Sequence, residues 1–164
     1  MVNENELTWE EIERHNLDEP DYAKDERWIA WAAGFIDGEG AIMIYRSKPA
    51  YRKPKGQLQL AVHIGQSALA PIDRLCEMFG GAVDEKKAGT GSYKRSHFTL
   101  RMHGEKAASM LRKIRPYLLV KGQHADIAIQ FQEALEAGVP FEGRIQYYDA
   151  MRALQQKGLH RRND

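Results

Sequence analysis

The sequence predicts an α+β fold: one four-stranded, mostly antiparallel sheet with helices on one face and the other face open. Two stretches, around residues 57–66 and 93–102, alternate apolar and polar residues at the period of a half-buried strand. Two others, after Pro71 and after Gly104, space their apolar residues at i, i+3, i+4 and i+7. Glycines and prolines divide these stretches into the order helix, hairpin, helix, hairpin, helix, helix, helix.

Thr8 with Glu11 forms a capping box, so TWEEIERHNL predicts a short helix before Pro20. DERWIAWAAGFID, rich in alanine and apolar residues, predicts a buried helix that ends at Gly38 and Gly40. A β-rich run, AIMIYRS, follows, then the basic loop KPAYRKPKG and the strand QLQLAVHIGQ, together a long hairpin. In that second strand Leu58, Leu60, Val62 and Ile64 alternate with Gln57, Gln59, Ala61 and His63. The next helix has Pro71 in its first turn, the stripe Ile72, Leu75, Cys76 and Phe79, and Gly80 as its stop. A second hairpin runs through AVDEKK, AGTGS and YKRSHFTLRM. Ala107, Met110, Leu111 and Ile114 mark another helix, closed by Pro116. Two further helices are expected over 122–137 and 142–157, separated by Gly138 and Pro140, ahead of a polar tail.

The 164 residues suffice for one sizeable core, and 43% hydrophobic with 29% charged residues is ordinary for a globular chain. No apolar run approaches the roughly 20 residues needed to span a bilayer, and the acidic start does not read as a secretory signal. The single cysteine, Cys76, excludes an internal disulfide framework and any multi-cysteine zinc site, so an intracellular, reducing compartment is expected. The net charge of +1 hides an asymmetry. Residues 1–26 carry ten acidic and two basic side chains, and the remainder carries 22 basic and 13 acidic ones. The expected organisation is an acidic arm (1–26), a core (27–140) and a C-terminal helix with a basic tail (141–164). A basic core suits phosphate neutralisation on nucleic acid, although a solvated surface can carry the same balance.

The residues AAGFIDGEG (Ala32 to Gly40) are the least generic stretch. Ala30, Gly34 and Gly38 lie four apart and share one helical face, small enough for two such helices to meet backbone to backbone. The same stretch resembles the signature of the LAGLIDADG homing endonucleases, with Ala32 and Phe35 for Leu, Gly38 for Ala and Glu39 for Asp. The resemblance covers roughly residues 27–137, because the family's element order is the one read above. It implies a homodimer joined at Ala30, Gly34 and Gly38, since one chain holds a single motif. It further implies that Glu39, with Gly38 beside it, binds Mg²⁺ (or Mn²⁺ in its place) and that Gln66 and Lys121 approach the cleavage centre. The basic residue that the family often places after the second strand has no clear match in SALAPID, and Arg74 leaves that role open. As a bare tetrapeptide DGEG is more often an ordinary turn after a helix, and an EF-hand loop fits poorly because Ala41 and Ile42 stand where an oxygen ligand and glycine are needed.

The implied activity is intron homing: a staggered double-strand cut, leaving 3′ overhangs, in a long near-palindromic DNA site. The partner is then double-stranded DNA, with no membrane involved. On the open sheet face the first strand would show Ala41, Met43, Tyr45 and Ser47, and the second Gln57, Gln59, Ala61 and His63. The fourth would show Tyr93, Arg95, His97, Thr99 and Arg101. Gln and Arg suit bidentate contacts to adenine and guanine, and the loop residues Arg52, Lys53 and Lys55 suit phosphates. A non-catalytic DNA or RNA binder on the same fold, such as a maturase or regulator, is the main alternative. The six histidines show no HxH, HNH or HExxH spacing, which leaves a histidine-dependent hydrolase without support.

Overall fold

The computed structural model describes Tyr22, residues 24–89 and residues 94–159. The helix expected at the acidic N-terminus, Tyr93 and the polar tail lie outside the described residues. Helix α1 spans Glu26–Glu39, and Asp25 caps it by accepting from the Arg27 amide at 2.9 Å. The helix runs further than expected, so Glu39 is its last residue rather than one just beyond its end. The reason is local: the Gly40 amide still donates to the Ile36 carbonyl and completes the last turn. Strand β1 (Gly40–Arg46) begins at that same glycine. A Cβ at Gly40 would sit 2.7 Å from the Ile36 carbonyl oxygen, so only glycine allows the chain to turn from helix to strand without a spacer.

Strand β1 pairs with β2 (Leu58–Gln66), β2 with β4 (His97–His103), and β4 with β3 (Ala82–Lys86). All three pairings are antiparallel and the order is β1-β2-β4-β3. Helices α2 (Leu69–Phe79), α3 (Gly104–Ile114), α4 (Gly122–Glu136) and α5 (Phe141–Leu159) follow the order read from the sequence. A 3-10 turn, Arg115–Tyr117, was not expected: Pro116 sits in its first residues, where its missing N–H costs nothing.

The core lies on one face of the sheet. Ile42, Ile44, Leu58, Leu60, Val62, Ile64, Leu100 and Met102 point into it at period two and are buried. They meet Ala32, Ala33 and Ile36 of α1, Ile72 and Leu75 of α2, Leu111 and Ile114 of α3 and Phe131 of α4. Each such aliphatic side chain stabilises the fold by about 1.5–3 kcal/mol on burial. The stripe of α2 is shifted from the expected one: Met78 is buried, whereas Cys76 and Phe79 are half-buried. Helix α5 closes the core through Met151, and its Tyr147 meets Phe131 edge-on at 6.4 Å.

Candidate active site and nucleic-acid interface

The end of α1 is bound to the segment before α4 in both directions. The Asp37 carboxylate accepts the backbone amides of Leu119 (2.7 Å), Val120 (3.1 Å) and Lys121 (2.8 Å). In return, Lys121 Nζ donates to the Ile36 carbonyl at 3.0 Å and to the Asp37 carbonyl. These amides precede and open α4, which has Lys121 at its N-cap, so an anion there is favoured by the helix dipole as well as by the hydrogen bonds. Burial pushes the Asp37 carboxyl up, but the amides of Leu119, Lys121 and Val120, together with the Lys121 ammonium, outweigh it and hold it below its usual range. Lys121 is itself lowered, chiefly by burial, while Asp37 and Glu39 pull it back up.

The register places the remaining candidates at the same end of the sheet. Gly40 pairs with Ile64, so Glu39 precedes a residue whose partner strand ends two positions later, at Gln66. The Gln66 side chain accepts from the Ser67 amide at 2.7 Å and from its hydroxyl at 3.1 Å, both through Oε1, so that its Nε2 group is the donor end. Glu39 is exposed, and it acts on Lys121 electrostatically. Among the described residues no group of three or more His, Cys, Asp or Glu side chains is placed to hold a metal ion. A Mg²⁺ ion at Glu39 would thus need further acidic ligands from beyond the described residues of one chain.

The three glycines of the motif fall into two kinds. Gly40 has no room for a side chain, whereas a Cβ at Gly34 or Gly38 would meet nothing within 4 Å. Among the described residues nothing thus requires small residues at Gly34 and Gly38, both of which are exposed. Ala30, on the same face, is half-buried. Beside this face stand Leu119 and Val120, 92% and 72% exposed, held there by their amide bonds to Asp37. Sequence reading missed this apolar pair; LLVKG looks like the approach to a helix, and only the tertiary contact with Asp37 shows that the pair faces out.

The open sheet face carries Tyr45 and Gln59, joined by a 2.5 Å hydrogen bond from the tyrosine hydroxyl, and His63, His97, Thr99 and Arg101. His103 belongs to this face too, 5.8 Å from the His63 ring and 6.4 Å from that of Tyr45. It was not among the expected residues, although the alternation from Thr99 through Arg101 reaches it. Ala61 points the same way but is fully buried. It lies between Met43 and His103, whose larger side chains cover it. His63 is the least available of the polar residues: its Nε2 is buried without a hydrogen-bond partner among the described residues. Burial first, then the charges of Arg101 and His103, push its pKa down, against the pull of Asp84.

Arg101 is paired with Asp84 at 3.1 Å, and Arg95 lies in the bend before β4 rather than in the strand. The hairpin loop is pinned at its base, where Ser47 and Gln57 exchange hydrogen bonds of 2.9 Å. Lys53 donates to Gln57, and Lys55 pairs with Glu142 of α5. Arg52 and the fully exposed Tyr51 occupy the tip.

No protein-family profile matches the sequence. No curated protein sequence matches it either. Solved structures do. The homing endonuclease I-CvuI, in complex with its target in the presence of calcium, superposes with a TM-score of 0.66 at 22% identity, over 82% of this chain and 83% of that one. An archaeal intron-encoded homing endonuclease complexed with DNA, I-Vdi141I, gives 0.66 at 16% identity, over 79% and 85%. The DNA-bound LAGLIDADG homing endonuclease I-LtrWI gives 0.58 at 17% identity over 74% of this chain, which spans only 43% of that longer one. At these identities the likeness establishes the fold.

Proposed function

We propose that this chain, which has the fold of the LAGLIDADG homing endonucleases, is a DNA endonuclease that acts as a homodimer. The observation that carries the reading is the joint placement of Glu39, Lys121 and Gln66 at one end of the sheet, next to a helix face that one chain leaves open. Two copies meeting across Gly34 and Gly38 bring two Glu39 carboxylates to the twofold axis, and so supply a second acidic ligand that the described residues of one chain do not place beside the first. The exposed pair Leu119 and Val120 adds apolar area beside that contact. I-CvuI has been described with DNA in the presence of calcium and of magnesium, which supports a divalent ion.

When bound, Mg²⁺ would supply a Lewis acid for the scissile phosphate and a more acidic water. The chain's own groups do the rest. Glu39 offers the anionic oxygens, with the Gly38 peptide beside it. Lys121 holds a positive charge near the phosphate on which negative charge develops, and its lowered pKa eases the release of a proton from Nζ. Gln66 orients water by hydrogen bonding. The strand residues Tyr45, Gln59, His97, Thr99, Arg101 and His103 read base edges, and Arg52, Lys53 and Lys55 hold phosphates. A symmetric dimer reads a near-palindromic site and cuts each strand once, giving a staggered break.

The test is selection from a pool of partly palindromic duplexes with the full chain, followed by cleavage, alongside sedimentation to count subunits. Dimers that cut one recovered site support the reading. A monomer that binds no duplex contradicts it. Tight binding with no cutting in any divalent metal favours a binder on the same fold.

A further inference from the structure

The Asp37 carboxylate has no place in the metal chemistry proposed above, because both of its oxygens are occupied: Oδ2 by Leu119 and Val120, Oδ1 by Lys121. Three successive amides on one carboxylate bring the start of α4 to the end of α1, which lies more than 80 residues earlier in the chain. The ammonium of Lys121 then has only one direction to take, back to the carbonyls of Ile36 and Asp37. The Ile36 carbonyl also accepts from the Gly40 amide and so closes the last turn of the helix that ends in Glu39, which ties Lys121 and Glu39 to the same stretch of backbone.

We infer that Asp37 is a positioning residue, which sets Lys121 beside Glu39 by holding the amides of residues 119–121, and so fixes the geometry of the cleavage centre without touching substrate. This rests on the endonuclease reading. Lys121 is four bonds of flexible stem from its backbone, and a lysine held only by its side chain would sample many rotamers. Anchoring its own amide and those of the two preceding residues fixes where that stem starts, and from there the two bonds from Nζ to the carbonyls limit its rotamers before DNA binds. Misplacing a catalytic group by about 1 Å costs on the order of 100-fold in rate.

The variant Asp37→Asn separates this role from simple support. One amide oxygen can still accept from Leu119 and Val120, but its NH₂ then faces the Lys121 N–H, so the bond that matters here is lost selectively. Asp37→Ala removes all three bonds and serves as the stronger variant where it folds. Two readouts are taken on the full-length protein at a temperature where its circular dichroism is native. In the first, amine acylation followed by mass spectrometry reports the exposure of Lys121, with Lys48 as internal reference. In the second, single-turnover cleavage of a duplex recovered by the wild type is measured in Mg²⁺, and affinity for it in Ca²⁺.

We expect Asp37→Asn to speed acylation of Lys121 several-fold relative to Lys48. The cleavage rate should fall by about 100-fold while affinity changes little. Equal loss of affinity and rate would mean that Asp37 only supports the fold. Unchanged acylation overturns the clamp itself, whatever the protein cleaves. Faster acylation with an unchanged rate overturns the positioning role but leaves the endonuclease reading standing. A wild type that cuts no duplex overturns that reading, and the role assigned here with it.

Discussion

Asp37 and Lys121 hold each other in two directions: the carboxylate accepts the lysine's backbone amide at 2.8 Å, and the ammonium returns to the aspartate's own carbonyl. The pair joins the last turn of α1 to the first turn of α4. It therefore lies between the residues proposed to face a partner, Gly34 and Gly38, and those proposed to act on DNA. Four outcomes follow from this arrangement and from the surfaces around it.

Substituting leucine for Gly34 or Gly38 should leave the monomer folded, because nothing within 4 Å opposes a new side chain and leucine is the better helix former. The dimer should be lost, since two backbones could no longer approach. Sedimentation and circular dichroism on the same sample check this; a dimer that persists in Gly34→Leu would remove α1 from the subunit contact.

Lys121→Met keeps the length and apolar stem of the side chain and removes its charge. The expected result is a cleavage rate lower by about 10²–10³-fold, comparable to losing one preorganised electrostatic donor, with DNA affinity nearly unchanged. Single-turnover kinetics with saturating protein separate the two quantities.

Acid should weaken the fold through its buried histidines before it reaches the carboxylates. Burial lowers the pKa of His63, as do Arg101 and His103, and burial followed by Lys121 lowers that of His124. A histidine whose folded pKa is depressed binds its proton more readily in the unfolded chain. Stability is then full above the unfolded value of about 6.5 and falls as pH drops from there through the folded value. Melting temperatures between pH 7.5 and 5.5 should decline, and His63→Gln should flatten the slope. Asp37 works in the opposite sense and lower down: its depressed pKa adds stability above the unfolded value near 3.9, which is lost only as pH falls through the folded one.

Arg52 stands at the exposed tip of the β1–β2 loop, away from the polar contacts that hold the loop's base. Arg52→Ala should weaken binding to all duplexes about equally and reduce the salt slope by about one counterion. Arg101→Ala should instead change which base is preferred, and it also frees Asp84 from its ion pair. Titrations at several salt concentrations, on matched and scrambled duplexes, distinguish these effects.

Much of the fold was legible in the sequence, and for identifiable reasons. The alternation of Leu58, Leu60, Val62 and Ile64 fixed which face of β2 is inside, and a one-residue error would have inverted it. Gly and Pro marked the element ends to within a few residues. The last turn of α1 escaped because its final hydrogen bond is made by the amide of Gly40, a residue that otherwise signals a stop. Of the candidate site, Glu39 could be picked out only through the nine-residue motif, and Gln66 and Lys121 only through the wider family resemblance of QLQLAVHIGQ and RPYLLVKGQHAD. The register puts Glu39 and Gln66 at one end of the sheet and Lys121 is bonded to the last turn of α1, while their roles stand as proposals. Asp37 was hidden because its partners lie more than 80 residues away, where no local pattern points back to it. Leu119 and Val120 were missed for the same reason. In a periodic reading an apolar pair belongs inside, and only the fold shows it outside.

The most direct test of the central claim compares the wild type with Glu39→Gln on a duplex recovered from the pool, in Mg²⁺, in Ca²⁺ and in EDTA. A metal-dependent endonuclease should cut both strands at one staggered position in Mg²⁺ alone. Glu39→Gln should bind the same duplex and leave it intact. Cleavage that survives in Glu39→Gln, or in EDTA, would contradict the account.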